Sequence, residues 1–168
     1  MIGRWIPLNS AKTVLPLVAD GAKDLSLDFG FVRPEVTVGD FVWVDENKNG
    51  VQDEGEKPLP GVELVLTGPD GKPVVNVNGD PVVPVKTDAS GKYLFEKLPV
   101  LKPGQSYKVC VKAPAGYVPT KPGATSRDKD SSTGCATTEG LTRDGESDLT
   151  LDFGFYPRPK VKLPKTGV

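Results

Sequence analysis

An all-β fold, two sheets of short strands packed as a sandwich, is what this sequence predicts. Three observations carry the expectation. Gly (19) and Pro (17) make up about a fifth of the 168 residues, which favours many turns over long helices. Several windows alternate apolar and polar residues, and turn clusters separate them. No window sustains a helical period. In chain order the expected strands are residues 36–44 (VTVGDFVWV), 62–66 (VELVL), 91–95 (GKYLF), 107–111 (YKVCV) and 148–155 (DLTLDFGF). Residues 69–84 are rich in Gly, Pro, Asn and Val and read as a hairpin turning at Asn78-Gly79. Residues 88–91 read as a turn leading into the strand that holds Tyr93.

Composition narrows the function. The net charge of -1 gives no support to a nucleic-acid or acidic-membrane partner. The chain has no histidine, so the commonest general base and the commonest zinc ligand are missing. No nucleophile–base arrangement emerges from the remaining residues, and a non-enzyme is expected. No stretch is long and apolar enough to span a membrane. The first 21 residues make a poor signal peptide, because Pro7, Asn9, Lys12 and Pro16 break the apolar run. If the protein is exported, its true N-terminus is expected upstream. The two cysteines, Cys110 and Cys135, are too far apart for a C-x-x-C motif. They form either a structural disulfide, expected in an exported chain, or a pair of buried thiols.

The domain boundaries come from an internal repeat. DLSLDFGF at 24–31 recurs as DLTLDFGF at 148–155, with Asp28 and Asp152 separated by 124 residues. The register extends upstream, aligning Asp20-Gly21 with Asp144-Gly145, Leu17 with Leu141 and Thr13 with Thr137. Repetition at domain length indicates tandem modules. Residues 1–33 are then the end of one repeat and residues 34–157 a complete second one. Pro34 and Pro157 mark the junctions, where a fixed φ stiffens the hinge.

Residues 45–56, DENKNGVQDEGE, satisfy a twelve-residue calcium-loop pattern at every position. Asp45, Asn47 and Asn49 stand at positions 1, 3 and 5, and Gly50 permits the sharp turn at position 6. Val51 offers its carbonyl, Asp53 stands at position 9, and Glu56 at position 12 can bind with both oxygens. Calcium takes six to eight oxygens, and alternate residues of a tight loop turn theirs inward. A strand and a Pro-rich segment flank the loop instead of two helices, so a structural Ca2+ ion is expected rather than a helix-opening sensor. A second cluster, Asp128, Asp130 and Ser132, is either another calcium site or a polar turn.

Near the end stands Leu163-Pro164-Lys165-Thr166-Gly167. This run is similar to the L-P-x-T-G signal of sortase substrates, and the resemblance implies cleavage between Thr166 and Gly167 with Thr166 joined to peptidoglycan. Residues 158–168 are then a basic, extended linker carrying the signal, and the apolar helix and basic tail usual in that class are expected downstream.

Five stretches stand out across residues 36–157: VGDFVWVD at 38–45, NKNGVQD at 47–53, Gly61-Val62, TDASGKYLF at 87–95 and LDFGF at 151–155. On these motifs the segment resembles the B-type repeats of serine–aspartate-repeat surface adhesins of Gram-positive bacteria. The resemblance implies an immunoglobulin-like, collagen-adhesin B-type sandwich that holds several calcium ions, including one at Asp128 and Asp130, and serves as a rigid spacer. The cysteines are not part of that pattern. Related domains lock themselves with a Lys–Asn isopeptide bond. Here residues 36–44 contain no lysine and Asp152 stands where asparagine would, so rigidity is expected from calcium. The functional expectation is a stalk repeat of a secreted, cell-wall-anchored surface protein. Its expected partners are sortase, peptidoglycan and neighbouring repeats. The alternative is an adhesive module that grips a host matrix protein through residues 69–84.

Overall fold

The computed structural model describes residues 30–122, 126–127 and 129–159; the sorting motif and residues 1–29 lie outside them. Among the described residues there are ten strands and no helix. The strands are β1 (Glu35–Val44), β2 (Lys57–Pro58), β3 (Glu63–Thr67), β4 (Val85–Lys86), β5 (Lys92–Pro99), β6 (Lys108–Val111), β7 (Tyr117–Pro119), β8 (Cys135–Thr137), β9 (Ser147–Asp148) and β10 (Phe153–Pro157). They form two sheets, as the alternation and turn spacing predict. One has the order β2-β1-β10-β7, with β5 and β9 also paired to β1; the other is β4-β3-β6-β8.

β1 organises the first sheet because it changes partners along its length. Residues 35–41 pair antiparallel with β5, and the register shifts between Val36 and Val38. Thr37 and Val38 also pair with β9, and Val42 to Val44 run parallel to β10. β1 and β10 therefore point the same way. The chain comes in at Glu35 and goes out at Pro157 at opposite poles, roughly 30 Å apart for a ten-residue strand. Gly91 lets β5 approach β1 closely. Its φ is +78°, and a Cβ there would lie 2.6 Å from the Val42 carbonyl oxygen.

The core lies between the sheets and includes Val36, Val38, Val42, Leu64, Leu66, Val109, Phe153 and Phe155. Among the described residues, every core residue falls within 36–155. Alternation delivers them: β3 turns Leu64 and Leu66 inward and leaves Val65 exposed. Tyr93 and Tyr107 reach the core with their hydroxyls satisfied, Tyr93 donating to the Leu151 carbonyl (2.6 Å) and Tyr107 to that of Pro99 (2.6 Å).

The segment read as one strand over 148–155 is two. β9 ends at Asp148 and β10 begins at Phe153. The backbone between them is engaged elsewhere: the Leu151 carbonyl accepts from Tyr93, and the Asp152 carbonyl accepts from Ser132 N–H (2.8 Å). Asp148 is itself largely buried, accepting from Thr150 Oγ1 (2.6 Å), Glu139 N–H (3.0 Å) and Arg127 Nη2 (3.3 Å). The 69–84 insertion is a hairpin held by the Val75–Pro81 bridge, and it turns where Gly79 N–H meets the Asn76 carbonyl (3.0 Å).

The tyrosines yield an alkaline prediction. Burial pushes the Tyr107 phenol from 10.0 up to about 12. Burial, followed by the charges of Asp152, Asp40 and Asp148, pushes Tyr93 higher still. The folded state thus holds these protons more tightly than the unfolded chain. Their contribution to stability is complete below about pH 10 and is lost as pH rises through about 12. A spectrophotometric phenolate titration should show these two tyrosines ionising together with unfolding. In Tyr93→Phe the alkaline unfolding limb should be shallower, and at neutral pH stability should fall by about 1 kcal/mol for the lost hydrogen bond.

Candidate metal centre

The twelve-residue loop leaves β1 at the outgoing pole. Asp45, the first residue after the strand, is fully buried. Its N–H donates to the Phe155 carbonyl (2.8 Å), which continues the β1–β10 pairing by one step. Its carboxylate turns into the loop, where Oδ2 accepts from Gly50 N–H (2.9 Å) and Thr120 Oγ1 (2.5 Å) and Oδ1 accepts from Asn49 N–H (3.2 Å). Lys48 (φ +62°) and Gly50 (φ +78°) adopt the left-handed conformation that folds the loop back on its first residue.

The loop draws four of the six expected ligand residues together. The side-chain amides of Asn47 and Asn49 donate to Asp53 Oδ2 at 2.6 and 2.7 Å. Their Oδ1 atoms accept in turn from Asn49 N–H (2.9 Å) and Val51 N–H (2.7 Å), so both side chains are held inside the loop. Glu56 is placed differently. Its Oε1 accepts from Glu46 N–H (2.9 Å) and its Oε2 from Asp53 N–H (3.0 Å), so it ties the two ends of the loop. Among the described residues no three acidic, cysteine or histidine side chains converge on a single point. Asp45 Oδ1 and Asn47 Oδ1 share the Asn49 N–H, and Asn47 and Asn49 both reach Asp53 Oδ2; these oxygen-bearing residues are of the type a hard divalent cation takes.

The second acidic cluster is not separate from this loop. Val51 forms an antiparallel bridge with Asp130, Gln52 N–H donates to the Lys129 carbonyl (2.9 Å), and Ser131 N–H donates to the Gly50 carbonyl (2.9 Å). Asp130 Oδ1 is buried there without a hydrogen-bond partner. Ser132 donates its N–H to the Asp152 carbonyl, and Asp128 lies outside the described residues. Ser131 is fully buried and accepts Gly154 N–H on Oγ (2.9 Å). Sequence reasoning missed Thr120, 75 residues beyond Asp45, and Ser131, which meets the Gly50 carbonyl from further along the chain. Hydroxyls at that separation leave no local pattern.

Cys110 and Cys135 are register partners on β6 and β8 and are joined by a disulfide. The bond closes the 25-residue loop that carries Thr120, Asp130 and Ser131. Two sheets, an oxygen-lined loop at one pole and a disulfide-closed loop packed against it define a structural β-sandwich module.

The comparisons place it more narrowly. Residues 36–155 match the SdrD B-like domain model, and the chain belongs to that family. It is 40% identical over 145 residues to serine-aspartate repeat-containing protein E of Staphylococcus aureus, covering 86% of this chain and 11% of the relative. To serine-aspartate repeat-containing protein D of the same organism it is 38% identical over 147 residues, covering 88% and 10%. The chain thus spans about a tenth of the length of these relatives. Among solved structures, GBS52, the minor pilin of Streptococcus agalactiae, is similar at 17% identity with a TM-score of 0.47, covering 79% of this chain and 49% of that one.

Proposed function

We propose that this chain is a calcium-stabilised spacer repeat of a cell-wall-anchored surface protein. The observation that carries the reading is the loop of Asp45, Asn47, Asn49 and Asp53: Asn47 and Asn49 both reach the Asp53 carboxylate, and the buried Asp45 shares the Asn49 N–H with Asn47 Oδ1. A calcium ion there would draw on these residues and the Val51 carbonyl, with Asp130 paired to Val51 from the facing loop. It would join β1, the 126–132 segment and the outgoing strand at one point. A module fixed in this way resists bending where the chain leaves it. Membership of the SdrD B-like family and the similarity to the two serine-aspartate repeat proteins support a repeat on a Gram-positive cell surface.

Two further parts of the reading rest on sequence. Residues 1–33 end a preceding copy of the module, and Leu163-Pro164-Lys165-Thr166-Gly167 is the sorting signal. Incubating the full chain with a sortase and an oligoglycine nucleophile tests the second part. The Thr166–Gly167 bond should break, Thr166 should acylate the glycine amine, and Gly167-Val168 should leave. Mass spectrometry reads the product directly. An unchanged mass alongside a positive control substrate removes the anchoring claim.

A further inference from the structure

The incoming pole carries a groove of about 460 Å³ lined by Val32, Arg33, Glu35, Val77, Asn78 and Asp144. Three segments distant in sequence meet there. Arg33 donates to the Val77 carbonyl at the tip of the 69–84 hairpin, Glu35 N–H donates to Asp144 Oδ1 (2.9 Å), and Gly145 N–H donates to the Glu35 carbonyl (2.9 Å). The insertion hairpin thus reaches back to the point where the chain comes in.

We propose that this pole is a docking surface for the outgoing pole of a preceding copy of the same module, seated on the hairpin tip and the Asp144 turn. The proposal rests on the tandem reading of residues 1–33. The internal repeat fixes the spacing between the two modules. β10 ends at Pro157, whose counterpart 124 residues earlier is Arg33, and β1 begins at Glu35. Pro34 alone therefore separates the last strand of one module from the first strand of the next. Two Cα–Cα steps span about 7.6 Å, too little to keep two sandwiches from touching. A proline at that position further removes one of the few free torsions.

The register also says which surfaces meet. Val32 is the counterpart of Tyr156, which pairs with Val118 of β7 and lies under Lys48, its ring centroid 4.7 Å from Nζ. Val32 itself is 69% exposed and lines the groove, so the preceding module's loop must come to this same spot. Arg33, like Pro157, would pair in the preceding module's last strand through its backbone while its guanidinium holds the following module's hairpin. One residue would thus serve both modules. The calcium loop of each module would face the 69–84 hairpin of the next.

The test is a two-module protein in which residues 34–155 are followed directly by residues 32–158, reproducing the native junction. Residues 35–158 contain both sheets and the whole described core, so each module is self-sufficient. With segmental isotope labelling, residual dipolar couplings report how strongly each module aligns. The native junction should give equal alignment magnitudes. Val77→Glu in the second module, or six Gly/Ser residues inserted after Arg33, should make them diverge at least twofold. Unequal magnitudes at the native junction overturn the docking surface. So does an equality that Val77→Glu leaves intact, since the short tether alone would then set the orientation. Failure of the tandem reading looks different: the first module, closed by Val32 and Arg33, would unfold well below the second.

Discussion

Calcium in excess should raise the unfolding midpoint of the chain by roughly 10 °C, and Asp45→Ala should abolish the rise. An ion that binds only the folded state stabilises it by mass action, about 2.7 kcal/mol when its concentration is a hundred times Kd. For a module of this size each kcal/mol moves the midpoint by about 3–5 °C. The same substitution should lower the midpoint even in chelator. Asp45 is fully buried and accepts from Gly50, Asn49 and Thr120; its removal leaves Gly50 N–H and Thr120 Oγ1 without their acceptor, while Asn49 N–H keeps Asn47 Oδ1. A loss of about 2–4 kcal/mol is expected in the absence of calcium. Asn47→Ala should behave differently. It removes one candidate ligand from the exposed side of the loop, so it should reduce the calcium-dependent rise while costing about 1 kcal/mol or less in chelator. Differential scanning calorimetry with calcium and with chelator separates the two effects.

Removing the disulfide should be the second large effect. By the chain-entropy relation, a loop of 25 residues closed by a cross-link is worth about 3.5 kcal/mol. Cys110→Ser combined with Cys135→Ser should therefore lower stability by about 2–4 kcal/mol, measured by urea unfolding. The location of the bond adds a second consequence. Between the two cysteines lie Thr120, which donates to Asp45, and Asp130 and Ser131, which pair with Val51 and Gly50. The double variant should also bind calcium more weakly, because the wall of the loop must be ordered when the ion binds. Equal calcium affinity with and without the disulfide would show that residues 45–56 are sufficient by themselves.

The sequence was informative wherever the physics is local. The strand expected over 36–44 is β1, and those at 62–66, 91–95 and 107–111 overlap β3, β5 and β6, because each buries one face and so alternates. Gly50 and Asn78-Gly79 mark turns the structure contains, since left-handed backbone restricts which residues can occupy it. The short strands β2, β4, β7, β8 and β9 were not legible. They have two or three residues each, too few for alternation, and distant partners create them. The break between Asp148 and Phe153 was hidden for a related reason. DLTLDFGF alternates throughout, but Tyr93 and Ser132 capture the intervening carbonyls from segments that sequence spacing cannot connect. Spacing singled out Asp45, Asn47, Asn49 and Asp53, which the loop brings close, and also Glu56, which ties the loop ends instead. The loop's support was not readable from spacing: Thr120, Ser131 and the placement of Asp130 beside Val51 depend on how a distant loop folds over β1.

A calorimetric titration of the chelator-stripped chain with calcium decides whether residues 45–56 hold an ion. Extracellular calcium modules saturate at about 10⁻⁴–10⁻³ M. At least one site in or below that range is predicted, with Asp45→Asn removing it and Glu63→Gln, on β3 of the opposite sheet, leaving it unchanged. No binding to the native chain up to about ten times the upper end of that range, or binding that Asp45→Asn leaves intact, would contradict the account.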